Sequence, residues 1–184
     1  RLIRDFAIPD HLLVAKVRSA RMVAPSGHHV DIPIDDGFVG MVDREVFDEW
    51  LRERAAQAGA LRHDATFEKL TRDADGVSVV HFRARHGDAE VAARVRTRAV
   101  IGADGARSQV ARQAVTGGDP APCVFAYHEI VRRPAAPPAG YDPARCDVVY
   151  DGRLSPDFYG WVFPHGDTLS IGTGTADKGF SLRT

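Results

Sequence analysis

Between Pro156 and Pro164 the chain reads Pro-Asp-Phe-Tyr-Gly-Trp-Val-Phe-Pro, and a Gly172-Thr173-Gly174 triplet follows after a short polar turn. Tyr159, Trp161 and Phe163 stand at alternate positions, so an extended strand projects all three rings from one face. Such a row needs a large apolar surface to lie against, which restricts this part of the chain to a sheet with an aromatic face. Pro156 and Asp157 are expected to start the strand and Pro164 to stop it, because proline carries no ladder donor. His165-Gly166-Asp167 then reads as a turn into a second strand, Thr168 to Thr175. On that strand Gly172 and Gly174 present a bare face open to a ligand or another backbone. An ordinary hairpin with rings in a core has the same spacing, and spacing alone leaves both readings open.

A second segment, Val100-Ile101-Gly102-Ala103-Asp104-Gly105-Ala106-Arg107-Ser108, follows the alternating run Val91 to Ala99. It reads as a short apolar strand that ends at an Asp-Gly turn and passes into a helix from about Arg107 to Ala114. That is the strand-turn-helix unit of a nucleotide-binding sheet. Asp104 at the strand's C-terminal end is placed to accept from a sugar hydroxyl or water, and Gly105 lets phosphate approach backbone N–H groups. An Asp-Gly turn after a strand is also common in proteins that bind nothing there.

A third segment begins at Asp43, a good N-cap. Val46, Phe47, Trp50, Leu51 and Ala55 form an apolar stripe at helical spacing, and Gly59 is a C-terminal stop. Arg44 falls in the first turn, at the positive end of the helix dipole, so an anionic partner is expected: Asp48 four residues on, or a ligand phosphate.

Met41-Val42-Asp43-Arg44-Glu45-Val46-Phe47-Asp48, the Gly102-to-Ser108 segment and Leu154-to-Pro164 together resemble the geranylgeranyl reductases. Within them, the resemblance is to the form that reduces the geranylgeranyl tail of bacteriochlorophyll or chlorophyll. Asp-Arg at a helix start and Gly-Ala-Asp-Gly occur across the p-hydroxybenzoate hydroxylase-like flavoproteins, whereas the Pro-x-x-Tyr-x-Trp-x-Phe-Pro block with its trailing Gly-x-Gly is the specific part. The resemblance implies an α/β chain, part of a Rossmann-like FAD-binding domain joined to an antiparallel substrate-binding sheet. It also implies that FAD takes hydride from NADPH and saturates prenyl double bonds. By the same resemblance Arg44, Gly102, Asp104 and Gly105 lie near the FAD. Tyr159, Trp161, Phe163, Pro164, Gly172 and Gly174 then line the isoprenoid slot. An unconjugated alkene offers few hydrogen-bonding handles, so shape and apolar contact must position it. No residue identifies itself as the proton donor; His165 and Tyr159 are neighbours in sequence.

The chain departs from that family in lacking a Gly-x-Gly-x-x-Gly after an N-terminal strand and the later Gly-Asp motif. An internal segment of a longer enzyme is therefore expected, with the pyrophosphate cradle elsewhere. A net charge of −1 gives no reason to expect nucleic acid. Cys123 and Cys146 lack metal-like spacing and read as buried thiols of a reducing compartment, and His28-His29 reads as a turn; no metal is expected. No hydrophobic run is long enough to span a membrane. A cytoplasmic enzyme is expected, one that meets a geranylgeranylated pigment at a photosynthetic membrane surface, or geranylgeranyl diphosphate.

Along the chain, Leu12 to Val23 and His29 to Ile34 read as a hairpin around Ser26-Gly27. Thr66 to Thr71, Val77 to Arg85 and Ala89 to Arg96 read as a three-stranded meander, with Arg94, Arg96 and Arg98 on a solvated face and Val91, Ala93 and Val95 on a buried one. Cys123 to Arg132 and Cys146 to Tyr150 read as strands of the substrate sheet. The expected partition is residues 1–118 for a partial FAD-binding domain and 119–184 for a partial substrate domain, the first hairpin packing with the latter. Two other functions fit the residues: a flavin-dependent aromatic monooxygenase, and a noncatalytic lipid- or pigment-binding fragment.

Overall fold

The computed structural model describes residues 2–116 and 122–182. The order is α1 (Leu2–Asp5), a 3-10 turn (Asp10–Leu12), β1 (Leu13–Val17), β2 (Ser19–Val23), β3 (His29–Pro33), β4 (Val39–Val42) and α2 (Arg44–Gln57). After these come β5 (Ala65–Arg72), β6 (Ser78–His86), β7 (Ala89–Thr97), α3 (Gln109–Ala114), β8 (Phe125–Arg132), β9 (Arg145–Val149), β10 (Gly160–His165) and β11 (Thr168–Thr175). The mixed α/β character expected from the sequence is present. Internal contacts divide the chain into Arg1–Arg54 with Val124–Thr184, and Ala55–Cys123. The boundary expected near residue 118 lies outside the described residues.

The first unit is built on a six-stranded sheet of order β3-β2-β9-β10-β11-β8. Its pairs are antiparallel except β2 with β9, which run parallel. The expected Leu12–Val23 strand is broken at Arg18, whose N–H donates to the Ala144 carbonyl at 2.7 Å while its own carbonyl accepts from Ile34. The break sends β1 to pair with β4, a strand the sequence reading missed, and β2 into the large sheet. Leu12, Val17 and Leu169 are among the buried apolar residues described in this unit.

Asp43 caps α2 as expected: its Oδ1 accepts from the Glu45 N–H at 3.0 Å. The helix stops at Gly59, which takes φ +97° while the Ala60 N–H donates back to the Ala55 carbonyl at 3.0 Å. Its apolar stripe is not buried. Val46 and Leu51 are exposed, and Phe47 and Trp50 are half-buried, their centroids 5.7 Å apart and the Arg54 guanidinium 5.3 Å from the Trp50 ring.

The second unit is the expected meander β5-β6-β7 with α3 beside it. Asp73 shapes the first turn by accepting from the N–H groups of Asp75 and Val77, both at 3.0 Å, ahead of Gly76 at φ +77°. Gln113 ties α3 to β5 by accepting from the Leu70 N–H at 2.8 Å. Two expectations fail here. Val91 and Val95 are as open as the arginines beside them, so β7 has no buried face. Val100–Ala103 is not a strand, and Ile101 is 90 % exposed, because no described strand pairs with it to satisfy its backbone.

Candidate functional site

The aromatic row is real, and it begins before its strand. Tyr159 precedes β10, and its ring stacks on Phe158 (4.3 Å between centroids) and meets Tyr150 at 6.1 Å and Trp161 at 6.2 Å. Trp161 continues to Phe163 at 6.1 Å. β10 does not stop at Pro164 but runs through it to His165, with Pro164 opposite Leu169. β9 accompanies β10 only from Gly160 to Val162, so beyond that point one side needs no donor and proline is tolerated. By alternation Pro164 belongs to the other face of the sheet and does not line the row.

The bare glycines turn out to accommodate the chain's own side chains. Gly172 stands opposite Trp161, and a Cβ there would lie 2.5 Å from the indole Cζ2 and 2.5 Å from the His128 Cβ. At Gly174 a Cβ would come within 3.0 Å of Phe158 Cδ1 and Val124 Cγ1. The gap expected for a ligand is thus filled by Trp161 and His128 at Gly172 and by Phe158 and Val124 at Gly174.

Polar bonds hold this arrangement in place. The Trp161 Nε1–H donates to Ser170 Oγ at 3.1 Å, and His128 Nδ1 lies 3.1 Å from the same oxygen. The loop leading into Tyr159 is pinned to β11 through Asp157. Its Oδ1 accepts from the Thr175 hydroxyl at 2.6 Å and its Oδ2 from the Ala176 N–H at 2.9 Å. Thr175 and Ser155, which joins the cluster, are almost fully buried at 2 % and 3 % exposure. The Thr175 hydrogen bond, with help from the Ala176 N–H, holds the Asp157 carboxyl below the ordinary carboxylate range.

His128 is the residue the sequence reading missed. It lies on β8 in register with Gly172, its ring centroid 6.4 Å from Trp161, so an imidazole stands beside the centre of the row. Only the β8–β11 register reveals it. His165 lies on the same face, two residues past Phe163. Cys146 shares the face, half-buried, and burial pushes its thiol up to about 11. Cys123, expected to be buried, is exposed.

The residues assigned to FAD fall in both units: Arg44 in the first, and Gly102, Asp104 and Gly105 in the second. Arg44 binds Asp48 through two bonds, at 2.8 and 2.9 Å, yet its side chain remains 77 % exposed. It lines an open groove of ≈ 850 Å³ along α2 that it shares with Glu45, Glu49 and Glu53. Asp104 backs up Ser108, the N-cap of α3: its Oδ1 accepts from the Ser108 hydroxyl at 2.5 Å, and its Oδ2 from the N–H groups of Gln109 and Val110 at 2.6 and 3.2 Å. The Ser108 hydrogen bond is the main reason its carboxyl sits below the usual range. Gly102 lets the chain lie against α3, since a Cβ would meet Val110 at 3.0 Å. Gly105 takes φ +80° with nothing within 4 Å of a would-be Cβ, leaving a flat patch of backbone in open space. Taken each in its own unit, the open backbone at Gly105 suits the approach of a phosphate or sugar, and the exposed Arg44 guanidinium suits an anion.

The chain is 60 % identical over 183 residues to a geranylgeranyl diphosphate reductase of Rhodobacter capsulatus, covering 100 % of this chain and 45 % of that protein. It is 35 % identical to the geranylgeranyl diphosphate reductase of Synechocystis, covering 95 % and 44 %. It is 30 % identical to digeranylgeranylglycerophospholipid reductase 1 of Methanopyrus kandleri, covering 95 % and 46 %. The chain therefore spans about half the length of these curated relatives. In fold it resembles the flavin-dependent brominase Bmp2, with TM-score 0.71 at 17 % identity over 95 % of this chain and 43 % of that one. It also resembles the flavin-dependent halogenase CmlS, with TM-score 0.62 at 18 % identity over 87 % and 29 %. The FAD binding domain family matches residues 17–120, more than half of the sequence, and the chain belongs to that family.

Proposed function

We propose that this chain serves an FAD-dependent reductase that saturates the double bonds of a geranylgeranyl chain, with NADPH as the electron donor. The substrate is the tail of a bacteriochlorophyll- or chlorophyll-type pigment, or geranylgeranyl diphosphate. The observation that carries this reading is the row Tyr150, Tyr159, Trp161, Phe163 on one sheet face of a chain in the FAD binding domain family. A hydrocarbon tail is recognised by area and shape, and a row of rings provides both.

In this reading residues 1–118 contribute to the flavin site and residues 119–184, with β2 and β3, form the substrate sheet. Arg44 on α2 and the Gly102–Gly105 turn of the second unit are each assigned to the FAD, and Asp104 fixes its turn through Ser108, Gln109 and Val110. Bound FAD would supply the hydride chemistry. The chain's own side chains bind the alkene, orient it and exclude water. Ser170 and His128 fix the Trp161 indole, and the His128 ring is placed to carry a proton beside the row. No described helix is long and apolar enough to cross a membrane, so a pigment substrate would be met at the surface of the photosynthetic membrane.

The test is the mass of geranylgeranylated bacteriochlorophyll after incubation with the full-length protein, FAD and NADPH. Gains of hydrogen pairs confined to the tail support the proposal. An unchanged tail in the presence of bound, reducible flavin overturns it, and an oxygenated aromatic product would point to a monooxygenase.

A further inference from the structure

We propose that the prenyl chain lies across the strands, from the Trp161–Gly172 pair over β9 and β2 to Val30 on β3, rather than along β10. This inference rests on the prenyl-reductase reading above and specifies where the far end of the chain is held.

Val30, Met22, Val148, Trp161, Gly172 and His128 are successive cross-strand partners, one from each strand of the six-stranded sheet. Directly opposite residues project from the same face, so they form one transverse row. From Gly172 to Val30 every side chain in it is apolar. The flanking rows extend the apolar surface: Ile32, Ala20 and Cys146 on one side, Tyr150 and Tyr159 on the other. The outer end is open, with Val30 56 % exposed, and it is hollowed into a depression of ≈ 350 Å³ lined by Met22, Val30, His28 and Tyr150.

The opposite face of the same strands cannot serve. There Arg21 pairs with Asp31 at 2.6 Å and Arg145 with Asp147 at 2.6 Å, so β3, β2 and β9 carry a charged ladder. An apolar lane five strands wide exists on the aromatic face only.

Its length matches the proposed occupant. From β11 to β3 are four strand spacings, about 19 Å at ~4.8 Å each. An extended isoprene unit contributes four bonds of about 1.5 Å in a zigzag and advances by roughly one spacing. Four isoprene units therefore span the lane.

The test is calorimetric titration of the oxidised, flavin-loaded full-length protein with geranyl, farnesyl and geranylgeranyl diphosphate. The natural protein should tighten roughly tenfold with each added unit. Val30→Asp places a carboxylate at the lane's outer end, where the exposed site tolerates it. It should leave geranyl binding unchanged, abolish the gain from farnesyl to geranylgeranyl and so cost about tenfold for the longest chain only. Val30→Leu should restore that gain. Equal losses at every length, or no loss at any, overturn the transverse lane while the reductase reading stands. Absence of binding by the natural protein at every length overturns the lane as a site for a free prenyl chain, and the reductase reading then stands or falls with the pigment assay above.

Discussion

The indole of Trp161 occupies the space above Gly172 that any other residue's Cβ would need, its Cζ2 2.5 Å from that position. Gly172→Ala should therefore destabilise the protein by about 1–3 kcal/mol, the usual cost of overpacking. It should also shift the near-ultraviolet circular dichroism of the displaced indole. Gly152→Ala, where nothing lies within 4 Å, is the matched control and should change stability by less than about 0.5 kcal/mol. Thermal unfolding of the two variants side by side decides the point.

The Asp157 clasp should be visible in the dependence of stability on pH. Its carboxyl pKa is depressed in the folded state, so the unfolded chain binds more protons between the two values and stability rises with pH there. The contribution is fully present above the ordinary carboxylate pKa and disappears as pH falls through the folded value. Asp157→Asn should lower Tm at neutral pH and flatten the acid limb of the Tm profile. An unaltered acid limb would mean that the clasp contributes nothing.

Arg44 has two candidate partners, and they can be separated. If its outward face holds the dinucleotide, Arg44→Ala should weaken FAD retention by about tenfold, the scale of one charge-assisted contact. Asp48→Ala, which frees the guanidinium, should not weaken it. Equal loss in both variants would reduce Arg44 to half of a helix-surface ion pair. Flavin content after gel filtration through cofactor-free buffer measures this.

Cys146 shares the aromatic face, and its thiol is raised to about 11 by burial. Alkylation at pH 8, followed by mass spectrometry, should label it far more slowly than an unhindered thiol, because the thiolate is the reacting species. The rate should climb with pH until about 11. Fast labelling at pH 8 would show that the sheet face opens readily.

Local patterns made much of the fold legible. The alternation of Tyr159, Trp161 and Phe163, the Asp73-to-Gly76 turn, and the Asp43 cap with its Gly59 stop all depend on near neighbours, and the structure contains each of them. Other expectations failed where a distant partner decides. Pro164 remains in its strand because the β9 ladder along β10 stops at the Val162–Asp147 pair, and Val100–Ala103 is no strand because nothing described pairs with it.

The sequence by itself determined which residues alternate, where turns and caps fall, and that a row of rings would line one side of a strand, since these follow from backbone periodicity and side-chain chemistry. Only the tertiary structure decided what the row faces. Strand order and register, set by pairing between residues far apart in the chain, brought Gly172 under Trp161, His128 beside it and Met22 and Val30 into line with it. No local pattern encodes that alignment, because a shift of one residue in any pairing would have turned the same side chains to the opposite face.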